Sequence, residues 1–257
     1  MTTIAPYGSW VSPIDAAKSL AGTTYFSAIR LDGDDLYWLE SRPAEGGRLA
    51  LVRRSGTDEP EDVVPKETNV RTMVHEYGGG AYLVFDGTVV YSEFGDQRLY
   101  RLDPDGDPEP ITPEPPRPRS LRYADGLWVG DVIVSVRETH PDEGEAINEL
   151  VAVPVDGSGD PVVLVSGPDF VSTPRVSPDG TRFAWLSWDH PNMPWDETTL
   201  WLASLDGHSI GEPTKVAGGD GVSVVQPEWG PTAACTTPPT RRGGGTCTGT
   251  TPAAGSD

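Results

Sequence analysis

Three short stretches of this 257-residue chain carry residue types that could do chemistry, and a fourth holds its only two cysteines. Gly207 to Gly211, "GHSIG", has the G-x-S-x-G spacing of a nucleophile elbow, in which a strand before the serine and a helix after it hold the hydroxyl in a strained turn. The strand is there in "LWLASL", but "EPTKVAGG" follows and has no helical pattern, so Ser209 reads as a surface turn residue. "RTMVHEYGGGAY" sets His75, Glu76 and Tyr77 beside three consecutive glycines, which permit close backbone approach and positive φ. One histidine and one glutamate are too few ligands for a metal ion. The stretch reads either as a strand entry with a tight turn or as a face turned toward a substrate or a partner domain. "WDHPNMPWDETTLW" is a long proline-punctuated loop that carries Trp188, Asp189, His190 and Trp195. Its indoles suit packing between sheets and ligand contact equally well. His140 and His208 sit in polar loops and are most simply solvated.

The elements that must position these residues are strands. Gly (30) and Pro (26) are scattered evenly, and short β-branched and aromatic runs recur between them, the pattern of many strands joined by tight turns. One helix is predicted, opening at "SPIDAAKSL", with Ser12 as cap, Pro13 at the first helical position and Asp15 in the first turn. After it, groups of three or four strands with Asp-Gly turns in matching places repeat at a period of about 40 to 55 residues. One such sheet cannot bury both faces and must stack on its neighbours, so the fold class is all-β, an incomplete β-propeller. A sandwich would not be expected to repeat its turns in register. Blades are predicted at 25–66, 79–114, 119–168 and 171–219, preceded by an N-terminal segment 1–24. "VQPEWGP" has the prolines of "STPRVSP" at the same spacing, so a fifth blade begins at 222–230. "LDGHSIGEPTKV" falls where "VDGSGDPVVLV" and "LDPDGDPEPIT" fall in earlier blades, which again makes Ser209 a turn residue.

The formal charge of −20 repels phosphates and anionic lipid, so neither nucleic acid nor a membrane is expected as a partner. The N-terminus has no basic segment before an apolar run, and no 18 apolar residues occur consecutively. Residues 1–230 lack cysteine, which suits a reducing compartment, and a cytoplasmic location is expected.

"VHEYGGGAY", "VSPDGTRFAWLSWDHPNMPWDETTLW", "QPEWGP" and the opening "APYGSWVSPI" resemble the prolyl oligopeptidase family of serine peptidases, in its bacterial dipeptidyl aminopeptidase/acylaminoacyl-peptidase branch. The likeness runs from about residue 5 to 231. It implies an N-terminal propeller that covers an α/β-hydrolase domain and admits short peptides while excluding folded proteins. The Ser-Asp-His triad belongs to the hydrolase domain and has no counterpart here, so the resemblance implies no catalytic residue, no cofactor and no activity of this chain alone. His75, Glu76, Tyr77, Trp188, Asp189, His190 and Trp195 are the residues expected to face the substrate or the hydrolase domain. Glu76 and Asp189 are the candidates to bind a peptide's amino end. A free-standing propeller acting as a binding module is one alternative. A metal-dependent propeller lactonase is another, and would need several inward acidic or histidine ligands about one axis.

From Pro231 to Asp257 there is no Val, Ile, Leu, Met or aromatic residue, and Cys235 and Cys247 both fall in this tract. Two cysteines among Thr, Gly and Pro supply neither a disulfide framework nor a zinc site. The tract is expected to be disordered and out of frame. "PTAAC" written with codons ending in G or C reads, one base back, as Asp-Gly-Arg-Leu, the turn that "VSPDGTRF" leads one to expect. Sequencing the gene tests this, since the alternative frame should run on into further blades. A frame shift there would leave an unpaired, aggregation-prone edge at the fifth blade.

Overall fold

The computed structural model describes residues 4–9, 15, 23–206, 208–230, 235–236 and 239–240. The predicted helix, apart from Asp15, and Cys247 lie outside the described residues.

Four antiparallel sheets follow one another along the chain. The first is β1 (Phe26–Asp32), β2 (Asp35–Arg42), β3 (Arg48–Ser55) and β4 (Glu61–Asp62), paired in that order. The second is β5 (Tyr82–Phe85), β6 (Thr88–Ser92), β7 (Leu99–Leu102) and β8 (Glu109–Pro110), and the third is β9 (Leu121–Val129), β10 (Val132–Thr139), β11 (Ile147–Pro154) and β12 (Val162–Val165). The fourth is β13 (Phe170–Val176), β14 (Arg182–Trp188) and β15 (Thr199–Asp206), with β16 (Ser209–Ile210) and β17 (Thr214–Gly218) both paired to β15. Two short pairs follow, in which β18 (Ser223–Val224) joins β21 (Pro239–Thr240) and β19 (Glu228–Trp229) joins β20 (Cys235–Thr236). This is the partial propeller expected from the repeat.

The apolar core lies between successive sheets. Tyr37, Leu39 and Leu51 of the first sheet meet Tyr82, Val89 and Tyr91 of the second. Leu83 and Val90 meet Tyr123, Ile133 and Val151 of the third, and Val134, Val136 and Leu150 meet Phe183, Trp185 and Leu205 of the fourth. A middle strand therefore has neighbours on both faces, which is why every residue of "TVVYS" in β6 is buried while the outermost β4 and β8 are exposed. Cys235 is buried beside Ala184, Leu186, Leu200 and Val224, so the sequence after Pro231 contributes to the face of the fourth sheet. The large exposed apolar side chains gather instead at the other flank, where Tyr25, Phe26, Ile29 and Leu31 in and before β1 are all more than 60% exposed.

Antiparallel order gives every sheet two different ends. The β1–β2, β5–β6 and β9–β10 hairpins close at one, the turn end. The β2–β3, β6–β7, β10–β11 and β14–β15 loops and all crossovers between sheets lie at the other, the loop end. At the turn end Asp86 and Gly87 both have positive φ (50° and 76°), as the two central residues of a tight hairpin require. The innermost strands bulge at one height, with Ala28, Asp125 and Thr173 at φ of 51°, 55° and 54° where the β1–β2, β9–β10 and β13–β14 registers shift. Gln226, before Pro227, repeats the value at 50°. Ser209 sits in the hairpin of β15 and β16 and donates to Asp206 O at 3.0 Å, in strand-turn-strand rather than elbow geometry.

Candidate functional site

Crossovers and loops that converge at the loop end enclose an open cavity of about 420 Å³ between the second, third and fourth sheets. Its first contributor is a single turn of 3-10 helix, Val74–Glu76, entered from "RTMV" and left through the glycines. His75 and Glu76 both lie in the left-handed region, at φ of 54° and 65°. Such a backbone persists only where its surroundings hold it, and here Glu138 of β10 does so, accepting the His75 N–H at 2.7 Å. The glycines that follow allow the second sheet to approach the third. A Cβ on Gly79 would stand 3.0 Å from Ala124 Cβ and 3.0 Å from Asp125 Oδ1. Asp125 then ties three sheets at their inner edge, accepting Gly80 N–H at 2.7 Å and Thr173 N–H at 3.2 Å.

One wall of the cavity is aromatic. Phe170 and Trp188, paired at the start of β13 and the end of β14, stack with centroids 5.2 Å apart. The His75 ring stands edge-on to both, at 5.4 and 5.3 Å, and Tyr77 and His190 complete the cluster at 5.7 Å from His75 and 4.9 Å from Phe170. Burial among these rings holds His75 below the usual histidine range, against the pull of Glu138 and Asp125 toward protonation.

The opposite wall is charged. Glu138 is buried and Arg122 nearly so, their side chains 3.0 Å apart. Arg122 also bonds Glu76 at 2.7 Å and Met73 O at 2.9 Å, and His140 Nε2 lies 2.7 Å from Glu138. The hydrogen bond from Arg122 lowers the Glu76 carboxyl below its ordinary range. Glu76, Glu138 and His140 have ligand atoms mutually within 4.8 Å, as a cation site would need. Nη1 of Arg122 bonds both carboxylates, however, so the positive charge there is already supplied by the protein. Glu145 lines the cavity from the β10–β11 loop and, among the described residues, has no hydrogen-bond or ion-pair partner.

Five of the seven residues read from the sequence, His75, Glu76, Tyr77, Trp188 and His190, line this one cavity. Asp189 does not, because its carboxylate turns to accept the Asp169 N–H at 2.7 Å. Asp169 in turn receives the His190 N–H at 2.8 Å and lies 3.0 Å from His190 Nδ1, contacts that lower its carboxyl. Trp195 stands away from the cavity and is 67% exposed. His140, expected to be merely solvated, is a lining residue bonded to a buried glutamate. Arg122, Glu138, Glu145 and Phe170 carry no local signal, since each lies in or beside an ordinary strand. The recurrence of the blades places them at the same end as His75, but that alone does not single them out.

No protein-family model and no curated protein matches the chain closely. Solved structures do. Over 93% of its length the chain is 36% identical to a puromycin-hydrolyzing peptidase of Mycobacterium tuberculosis, with a TM-score of 0.83, and it spans 39% of that protein. It also superposes, at 13% identity and a TM-score of 0.60, on a prolyl endopeptidase, covering 86% of this chain and 32% of that one. A gluconolactonase from Xanthomonas campestris shares the fold alone, at 13% identity and a TM-score of 0.52 over 79% of this chain and 65% of its own. The matched part of the peptidases is their N-terminal propeller region. The chain is similar to the N-terminal propeller region of prolyl oligopeptidase-family peptidases and spans about two fifths of the length of the puromycin-hydrolyzing peptidases it matches.

Proposed function

We propose that this chain is the substrate-gating propeller of a serine peptidase that acts on short peptides, and that the loop-end cavity receives the peptide's free amino end. The observation that carries the reading is the pairing of an aromatic wall with a carboxylate, Glu145, that has no partner among the described residues. A protonated amine is favoured beside this π-rich wall while Glu145 supplies the opposite charge. Glu76 is held by Arg122 and contributes less than its position in the sequence implied, and Asp189 contributes nothing directly. The partner would be an α/β-hydrolase domain set over the cavity, the propeller limiting which substrates reach it. A propeller without cysteine in residues 1–230 suits a reducing compartment, and the proposal places the chain in the cytoplasm.

Trp188 provides the signal for a test. Titration with a tripeptide bearing a free amino end should change tryptophan fluorescence, and the N-acetylated tripeptide should not. Glu145→Gln should weaken the response about tenfold, roughly 1.4 kcal/mol. Equal responses to the free and acetylated peptides would remove the amino end from the proposal. In an intact relative bearing the same residues, alanine at these positions should raise KM for short peptides, and unchanged kinetics would sink the gating role.

A further inference from the structure

A second surface at the loop end plays no part in the cavity. Phe94 lies in the β6–β7 loop, and the guanidinium carbons of Arg71 and Arg119 stand 5.0 and 4.8 Å from its ring centroid. The two arginines come from different crossovers, one leading into β5 and the other into β9. The fully buried Gln97 assembles the platform. Its Oε1 accepts Met73 N–H at 2.7 Å, and its Nε2 donates to Phe94 O at 3.1 Å and toward Arg71 O at 3.5 Å. Arg119 follows the stiff run Pro116-Arg117-Pro118, has a φ of 60°, and is pinned through Nε to Gly95 O at 3.1 Å.

What sets this pair apart is one ring shared by two guanidinium groups, since Arg30 and Arg98 each stack singly, on Tyr82 and Tyr100. The chain has 39 acidic side chains against 19 lysines and arginines, and Arg42, Arg48, Arg53, Arg101, Arg117, Arg122, Arg137 and Arg175 each pair with a carboxylate. Among the described residues Arg71 and Arg119 form no ion pair and share a ring instead. A guanidinium stacked on an aromatic face keeps in-plane N–H donors for a carboxylate, and in Arg119, whose Nε and Nη1 already turn to Gly95 O and Met73 Sδ, the outward donor is Nη2.

We propose that Arg71, Phe94 and Arg119 form a docking platform for a short extended segment of a partner protein that carries two or three carboxylates. The surface is open rather than enclosed, which suits a peptide segment over a small metabolite, and its two unopposed cations supply the complementarity. A long polyanion is disfavoured because the net charge of −20 repels it beyond the immediate neighbourhood of the platform. The platform is separate from the amino-end cavity, and the two ideas can fail independently.

The probe is a fluorescent six-residue peptide of alternating Glu and Gly, blocked at both ends so that it offers no amino group to the cavity. Anisotropy at low ionic strength should show binding that R71E/R119E weakens at least tenfold, that Phe94→Ala also weakens, and that 0.5 M salt abolishes. The Gln-for-Glu peptide should not bind. Arg54→Glu, on an exposed position of β3, and Glu145→Gln should leave affinity unchanged. If the double charge reversal fails to fold by circular dichroism, Arg71→Gln with Arg119→Gln serves in its place. Absence of binding, equal binding of the Gln peptide, or unaltered affinity in the arginine variants overturns the proposal.

Discussion

The two ends of the blades solve the same electrostatic problem at different ranges. At the turn end, carboxylates are satisfied mostly by their own turns, as Asp179 is by Ser177 and Thr181, and Asp156 by Ser158 N–H at 3.0 Å. Asp179 is thereby lowered to about 2. At the loop end the partners are far apart in sequence, with His75 N–H on Glu138, Arg122 on Glu76 and Thr173 N–H on Asp125. The cavities differ accordingly. A turn-end cleft of about 380 Å³ is lined by Asp35, Arg53, Asp62, Asp103 and Asp105 around turn backbone, whereas the loop-end cavity has rings on one side and a shared buried charge on the other. Turns satisfied in this way depend little on their neighbours, although Asp32, which accepts the Asp86 and Gly87 N–H, and Asp131, bonded to His208, do reach across sheets at this end. Long-range satisfaction makes the second, third and fourth sheets depend on one another, and it builds a surface that a ligand can read.

If that contrast holds, substitutions in the loop-end network should act across sheets and those at locally satisfied turn residues should not. The largest effect is expected for Glu138→Ala, which strips a buried Arg122 of its buried carboxylate partner, frees the strained His75 N–H and releases His140. A loss of about 3 kcal/mol is expected in urea unfolding, and a loss under 1 would show that the network does not couple the sheets. Gly79→Ala comes next, because the added methyl meets Ala124 and Asp125 at 3.0 Å, where the third sheet must give way. Overpacking of that kind costs about 1–3 kcal/mol, and wild-type stability would mean the sheets are not held at this spacing.

A smaller effect concerns pH. The folded-state pKa of His75 lies below the ordinary 6.5, so the unfolded chain binds the extra proton first as pH falls. Its contribution is complete above pH 6.5 and is lost as pH drops below that value toward the folded pKa. His75→Gln should therefore flatten the dependence of Tm on pH below 6.5, and parallel curves for the two proteins would contradict the assignment. The smallest effect belongs to the turn end. Asp156→Asn should leave the unfolding midpoint within error of wild type and leave peptide binding untouched. A shift as large as that of Glu138→Ala would erase the distinction between the ends.

The fold was readable because its determinants are local and recur. Asp-Gly pairs mark turns, Asp86-Gly87 at the β5–β6 hairpin with two successive positive φ angles, and apolar runs such as "TVVYS" mark strands covered on both faces. "GHSIG" was correctly read as a turn for the same reason, its place in the repeat. His75, Glu76 and Tyr77 were noticeable through the glycines beside them, and Trp188 and His190 through a loop too long for a hairpin. Asp189 does not line the cavity, because Asp169, twenty residues earlier, offers its carboxylate an N–H that the repeat does not encode. Glu138, Arg122 and Glu145 were overlooked because polar residues on strands and in loops are ordinary until a partner from another blade is set against them.

The sequence by itself determined the strands, their turns, the number of blades begun and the end at which the unusual loops emerge, because each depends on residues close together in the chain. Only the tertiary structure decided which of those loops meet. The left-handed His75 needs the buried Glu138, Arg122 bonds Met73 O, Glu76 and Glu138 at once, and Arg71 and Arg119 converge on Phe94 only once their crossovers are packed. Those are contacts between segments tens of residues apart, brought within hydrogen-bonding range by the stacking of sheets that buries their apolar faces.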